Sequence, residues 1–296
     1  MTNNIAKSPS GDLPSGLVLA VIGLGLIGGS MATDLRRRGF ARRIIGVDLD
    51  PLHCETAKRL GLVDETMELE AAVAEAEFVL VAVPVSASLQ VLPQVLDAVT
   101  TQTVTDVGST KQVVVEALRS HPQRARFVAA HPMAGTENSG PWAATANLFD
   151  GKAGIICDAA DSAPDAVRLV EGMYRTLNMR LVRLSAVLHD EHVAYVSHIS
   201  HVTSFALALT VLEKEQNQAT LFDLASGGFS STARLAKSSP EMWTPIFCQN
   251  AENVLNVLDA YLGQLQRFRE CLVQRDADGL TRMIRRANSI RRVLNG

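Results

Sequence analysis

The sequence predicts an α/β fold: a doubly wound parallel sheet at the N-terminus, followed by an all-α C-terminal domain. Three observations predict it. Up to about residue 185, short apolar runs alternate with amphipathic, helix-length segments, the pattern of parallel strands joined by right-handed helical crossovers. Beyond that point the strand pattern stops and the chain reads as helix to its end. The 296 residues also exceed what one small core needs. Residues 1–15 are polar, contain Pro, Gly and Ser, and are expected to be a disordered lead-in. The two domains are then placed at 16–185 and 186–296.

Strands are expected at 17–22, 44–48, 78–83, 103–107, 127–131, 153–157 and 179–184. The first helix, 26–38, closes on Arg36, Arg37 and Arg38 followed by Gly39, cations and a glycine being suited to a helix C-terminus. A second helix opens at Pro51 with Asp50 as its N-cap. In the second domain, helices are expected at 187–214, 218–225, 241–270 and 275–294. The stretch Val193 to Val211 is apolar nearly all round, so it is expected to be buried on all sides, by tight packing or with the help of a second subunit.

Composition narrows the function. With 47% hydrophobic and 20% charged residues the chain should fold, and its net charge of -3 gives no general attraction to nucleic acid or anionic lipid. Cys54, Cys157, Cys248 and Cys271 form no CxxC pair, which fits reduced thiols in the cytoplasm and neither zinc nor disulfides. The first apolar run, Leu17 to Gly29, is too short and too glycine-broken for a membrane span or a signal peptide, and no other segment reads as lipid-facing. Arg282, Arg285, Arg286, Arg291 and Arg292 read as a solvated helix face.

The run Gly23-Leu-Gly25-Leu26-Ile27-Gly28 follows the first strand and opens a helix. In that context the glycines permit a tight turn, close approach of a pyrophosphate and packing of helix on sheet, and the N–H groups of the helix start face the phosphates. Asp48 lies 20 residues beyond Gly28, at the end of the second strand, where a carboxylate accepts hydrogen bonds from ribose hydroxyls and repels a 2′-phosphate. The first domain is therefore expected to be of the Rossmann type and to bind NAD in preference to NADP.

Ligands of such sheets bind beyond the carboxyl ends of the strands. Ser109, in Asp106-Val-Gly-Ser109, and His131, before Pro132, fall there. A dehydrogenase acting on an alcohol needs a base for the hydroxyl proton, and histidine suits that work. The runs Asp106-Val-Gly-Ser-Thr-Lys111, His131-Pro-Met-Ala-Gly-Thr136-Glu137, Ser197-His198-Ile-Ser-His201, Ser226-Gly-Gly-Phe229 and Arg234-Leu-Ala-Lys-Ser-Ser-Pro240-Glu-Met-Trp243 resemble, in order, those of the prephenate/arogenate dehydrogenase family. The resemblance covers nearly the whole chain from residue 17. It implies hydride transfer from a cyclohexadienyl alcohol to NAD with loss of carbon dioxide, giving 4-hydroxyphenylpyruvate from prephenate or tyrosine from arogenate. His201, a hydrogen-bonding group near the side chain, suits a pyruvyl carboxylate and keto group without excluding an amine, so prephenate is the expected substrate. By the same resemblance His131 is the base and Ser109 positions the hydroxyl and the imidazole. Arg234 holds a substrate carboxylate, and His201, Thr136, Ser197 and Trp243 line the substrate pocket. A homodimer through the C-terminal helices is implied, and tyrosine is a candidate competitive inhibitor.

Residue spacing adds to this. Ser197 and His201 share a helix face with Ala194, Ser204 and Ala208, a small polar stripe that a ligand pocket would explain. His189-Asp-Glu-His192 and His198 do not form the HExxH spacing of a metal site; His189 and its acidic neighbours are expected to begin the long helix, and no metal is expected. Two rivals remain. A β-hydroxyacid-type dehydrogenase would carry a catalytic lysine on a helix of the second domain, whereas Lys237 lies elsewhere. A non-catalytic NAD sensor would lack the proton acceptor or the carboxylate anchor.

Overall fold

The computed structural model describes residues 15–215 and 219–294, so the expected lead-in lies outside the described residues except for its last position, as does residue 218 of an expected helix. Eight strands form the sheet: β1 (Leu17–Ile22), β2 (Ala41–Val47), β3 (Glu65–Thr66), β4 (Phe78–Val81), β5 (Thr103–Asp106), β6 (Phe127–Pro132), β7 (Ala153–Cys157) and β8 (Arg180–Leu184). Their order is β3-β2-β1-β4-β5-β6-β7-β8. Six helices cover its faces: α1 (Leu26–Arg37), α2 (Pro51–Arg59), α3 (Leu69–Glu75), α4 (Val85–Ala98), α5 (Gln112–Leu118) and α6 (Pro164–Thr176).

Strand residues alternate between faces. Leu19 and Val21 of β1 pack with Met31 and Leu35 of α1 and with Met173 and Tyr174 of α6. Val18, Ala20 and Ile22 pack on the other face with Val73 of α3, Leu92 and Leu96 of α4 and Val114 of α5. Burial on both faces is why these strands read as unbroken apolar runs. Asp50 caps α2 as expected, accepting from the Leu52 N–H at 2.8 Å.

Two features of the sheet differ from what the sequence predicts. The two-residue β3, unmarked in the sequence, joins the edge beside β2. More consequentially, β7 runs antiparallel to β6, Ala129 facing Cys157 and Pro132 facing Gly154. The link between them carries only a single 3-10 turn, Pro141–Ala143. Without a crossover helix the chain returns in the opposite direction. α6 then restores a parallel connection from β7 to β8.

The helical half begins with α7 (Ala186–Val193), continues through one π-helical turn (Ala194–His198) and runs on as α8 (Ile199–Glu215). A 3-10 turn at Ala219–Leu224 leads to α9 (Gly227–Ala233), another 3-10 turn (Arg234–Lys237), α10 (Pro240–Gln249), α11 (Ala251–Gln274) and α12 (Ala277–Ala287). The single helix expected over 241–270 is interrupted at Asn250, whose side chain bonds away from the helix to the Asp190 carbonyl. The one expected over 275–294 starts late because Arg275 is left-handed (φ 53°) and Asp276 caps α12.

Burial of the long apolar helix differs from expectation. Within α8 only Ser204 is buried, while Leu209 is 60% exposed and Val196, in the π turn, 69%. One side of the helix packs against Trp243 and Phe247 of α10 and Val254 and Val257 of α11, and among the described residues the other helices leave part of its apolar surface uncovered. By length and composition alone Ala186–Glu215 could cross a membrane, with 17% of its apolar window buried inside the chain.

The loop between β6 and β7 is tied to α1 through Asp34. This fully buried carboxylate accepts from the Asn147 N–H at 2.9 Å and from Arg37 Nη2 at 2.9 Å. Asp34→Ala removes the shared acceptor of these contacts and leaves a gap where the carboxylate was buried; it should cost about 1–3 kcal/mol, read by urea denaturation.

Candidate active site

The glycine loop joins β1 to α1. Gly23 has φ +95°, and a Cβ there would lie 2.5 Å from the Ala82 carbonyl oxygen; a Cβ on Gly28 would meet the Gly23 carbonyl oxygen at 2.1 Å. Both positions therefore exclude a side chain for backbone reasons. Gly25 differs: nothing lies within 4 Å of where its Cβ would stand. It is the N-cap of α1 with no side-chain cap and no acidic residue in the first turn, so the N–H groups of Leu26 and Ile27 are presented at a positive helix end. These features fit a bound pyrophosphate. Asp48 follows the end of β2. Its Oδ2 accepts from the Leu24 N–H at 2.8 Å and its Oδ1 from the Asp50 N–H at 2.9 Å, which leaves lone pairs for ribose hydroxyls. His53, which the sequence reading passed over, stands 3.4 Å from Asp48 and edge-on to Trp142.

The ends of β5 and β6 are locked together by a buried ion pair. Lys111 and Asp106 are 0% and 1% exposed, and the Lys111 ammonium contacts the Asp106 carboxylate while donating to the Ala130 carbonyl at 2.9 Å. Asp106 in turn accepts from the Ala130 N–H at 3.1 Å and the Gly108 N–H at 3.0 Å. This fixes the Val107–Thr110 turn that carries Ser109, and it fixes the chain next to His131. Ser109 itself is half-buried, and among the described residues its hydroxyl has no hydrogen-bond partner.

His131 is 9% exposed, and its Nδ1 lies 2.9 Å from Nε2 of His189, a residue of α7. His189 Nδ1 lies 2.7 Å from Asp190 Oδ1. Burial, reinforced by the neighbouring His189, Lys111 and His198, holds the His131 ring well below the ordinary histidine range. His131 is thus kept neutral. His198, buried and accepting from Asn250 Nδ2 at 3.2 Å, is pushed down to about 4, chiefly by burial.

The helical half supplies the remaining groups. Ser197 and His201 are half-buried, and His201 Nδ1 donates to the Ser197 carbonyl at 3.1 Å. His201 stacks on Trp243 at 3.5 Å between ring centroids. Trp243 is 7% exposed, yet its indole N–H is a buried donor with no partner among the described residues. Arg234, more than half exposed, reaches across to Glu137 at 3.6 Å, and burial, helped by the Arg234 charge, lowers the His201 pKa. Thr136 is exposed and its hydroxyl accepts from the Asn138 N–H at 3.2 Å. The polar stripe expected to line a ligand pocket is only partly free to do so: Ser204 donates to the Thr232 carbonyl at 3.1 Å and serves packing against α9.

Comparison with known proteins places this geometry. Residues 31–183 match the prephenate dehydrogenase nucleotide-binding domain, and residues 185–286 match the prephenate dehydrogenase dimerization domain. The chain belongs to the prephenate dehydrogenase family. It is 32% identical to a prephenate dehydrogenase of Bacillus subtilis over 92% of this chain and 75% of that one. It is 31% identical to a cyclohexadienyl dehydrogenase of Zymomonas mobilis over 93% of this chain and 95% of that one. Among solved structures it superposes on Aquifex aeolicus prephenate dehydrogenase, crystallised with hydroxyphenyl propionate and NAD+, with a TM-score of 0.87 at 31% identity, covering 97% of this chain and 100% of that one. The geometry joins His201 to Trp243, Arg234 to Glu137 and His131 to His189, pairs drawn from segments far apart in sequence.

Sequence reasoning missed the contact between His189 and His131. The adjacent His189-Asp190 pair, directly after the last strand, is the local signal for it: an imidazole beside an acid. Among the described residues no group of three or more His, Cys, Asp or Glu side chains is arranged to hold a metal ion. Lys111→Met removes one partner of the buried pair and leaves Asp106 charged in the interior. It should destabilise the protein by about 3–5 kcal/mol, measured by denaturant unfolding.

Proposed function

We propose that this chain oxidatively decarboxylates prephenate to 4-hydroxyphenylpyruvate with NAD, and that His131 accepts the proton of the substrate hydroxyl. The observation that carries the reading is the setting of His131: buried, held neutral, and fixed through Nδ1 at the carboxyl end of β6. A neutral imidazole so held offers its other nitrogen as a base. The half-buried Ser109 hydroxyl, free of partners within the described chain, is available to orient the substrate hydroxyl. Arg234 offers a planar fork for a substrate carboxylate, in exchange for its 3.6 Å contact with Glu137. The unpartnered Trp243 N–H gives a further donor, with His201 stacked on its ring and Ser197 bonded to His201; Thr136, next to the Glu137 that contacts Arg234, is assigned to the same pocket.

The open Gly25 corner and the uncapped α1 start would hold the dinucleotide phosphates, with Gly23 and Gly28 shaping the turn and Asp48 bound to the adenosine ribose. Bound NAD supplies the hydride acceptor. When hydride leaves the hydroxyl-bearing carbon, the oxygen becomes a ketone and its proton passes to His131. Loss of the ring carboxylate as carbon dioxide then makes the ring aromatic, and His131 can return the proton to the phenolic oxygen. Aromatisation drives the reaction, so orientation and one proton acceptor suffice.

Arogenate is the second reading, and one observation favours it. His201 donates through Nδ1 to a backbone carbonyl and is kept neutral by burial, so its Nε2 is an acceptor, suited to an ammonium group on the substrate side chain. Formation of reduced nicotinamide, followed by its near-ultraviolet absorbance with prephenate and arogenate side by side, decides between them. The expected result is turnover with a higher kcat/KM for prephenate; no turnover with either, on protein that binds NAD, contradicts the proposal.

The acid limb of kcat/KM should fall below the ordinary histidine value of about 6.5, because burial opposes protonation of His131 and activity is lost only as pH drops through its lowered pKa. Tyrosine shares the product's ring and carries the side chain of arogenate; it is expected to raise the apparent KM for prephenate and leave kcat unchanged. The exposed apolar side of α8 is assigned to a homodimer contact, consistent with the match to a dimerization domain. Light scattering should give twice the monomer mass, and a monomer would contradict this.

A further inference from the structure

The imidazole of His131 can serve as a base only through a nitrogen that carries a lone pair, and which nitrogen that is depends on the partners of the ring. The chain of contacts behind it can be read from its far end. The Asp190 side chain is 2% exposed. Its Oδ1 accepts from the Lys111 N–H at 2.8 Å and its Oδ2 from the Gln112 N–H at 2.9 Å. Both donors belong to the start of α5, where free N–H groups and the helix dipole favour an anion. With both oxygens accepting from the backbone, Asp190 has no proton to give to the ring beside it.

His189 Nδ1, 2.7 Å from Asp190 Oδ1, must then be the donor of that contact. A neutral His189 has its lone pair on Nε2, and Nε2 lies 2.9 Å from His131 Nδ1. His131 Nδ1 is therefore the protonated nitrogen, and Nε2 is left with the lone pair. The opposite sense would require a proton on both nitrogens of His189. The far end is also clamped from a second direction, since Asn250 donates to the Asp190 carbonyl at 2.8 Å and is itself bonded by Asn253 at 2.8 Å.

We propose that His189 and Asp190 are positioning residues that hold His131 in the tautomer with its lone pair on Nε2, so that the base meets the substrate hydroxyl already in its accepting form. The proposal rests on the reading of His131 as the proton acceptor. It makes the base a shared product of the two halves of the chain: the imidazole stands on the sheet, and the groups that set its proton come from the first helix of the helical half.

The direct test is the imidazole 15N spectrum of the wild-type protein at neutral pH, with His131 assigned by its loss in His131→Asn. The expected result is a protonated, pyrrole-type Nδ1 and an unprotonated, pyridine-type Nε2. The reverse pattern, or a cationic His189 ring, overturns the proposal. The functional arm compares His189→Leu with His189→Gln. His189→Leu removes the acceptor for Nδ1–H and should lower kcat by about 10²-fold, with KM for prephenate and affinity for NAD unchanged and with His131 shifted toward the Nε2–H form. His189→Gln retains a carbonyl that can accept from Nδ1–H and should recover a large part of kcat and the wild-type tautomer. Wild-type kcat in His189→Leu overturns the proposal. If His131→Asn is inactive while His189→Leu is not impaired, the relay alone fails; if His131→Asn turns over like wild type, the proton-acceptor reading fails with it.

Discussion

A buried carboxylate, Asp190, ties the helical half of this protein to the sheet beside the site. Asp190 sits on the first helix after the sheet and accepts two backbone N–H groups from the start of α5, which belongs to the sheet domain. An anion buried this deeply is tolerable only when every lone pair direction is used well. Here that requirement ties α7 to the loop carrying Ser109, and through His189 to the strand carrying His131. If α7 moved by one turn, the carboxylate would lose its donors and the histidine its partner together. The docking of the domains and the assembly of the site are the same constraint.

The sheet side of the junction is equally committed. The Asp106–Lys111 pair spends its hydrogen bonds on backbone groups of β6 and on the turn after β5, so the two strand ends that face the site hold a fixed separation. The antiparallel β7 matters for the same reason. It pairs with the last residues of β6, including His131 opposite Ile155, and so supports the strand on the side where a parallel neighbour would need a long crossover. Rigid elements with satisfied polar groups then present a few unsatisfied ones, among them the Ser109 hydroxyl and the Trp243 indole N–H.

Much of this was legible in the sequence where the information is local. The strands of the sheet, the glycine turn, the Asp50 cap and the positions of Asp48, Ser109 and His131 at strand ends follow from periodicity and from residues within a few positions of one another. The His131–His189 contact spans 58 residues and depends on how one helix docks, which no local pattern reports. The interruption at Asn250 has the same cause: a side chain chooses a distant carbonyl over its own helix. The composition of α8, apolar on all sides, predicts full burial, but burial is a property of neighbours. The described chain supplies them on one side only, leaving Leu209 and Leu212 exposed.

In the proposed reaction, hydride transfer and loss of carbon dioxide are coupled and run through His131. The measurement that tests it most directly follows reduced nicotinamide and carbon dioxide together, from prephenate labelled in its ring carboxylate, in wild-type protein and in His131→Asn. The account predicts equal amounts of the two products from the wild type, and loss of both in the variant while NAD still binds. Reduced nicotinamide without carbon dioxide, or undiminished turnover in the variant, would contradict it.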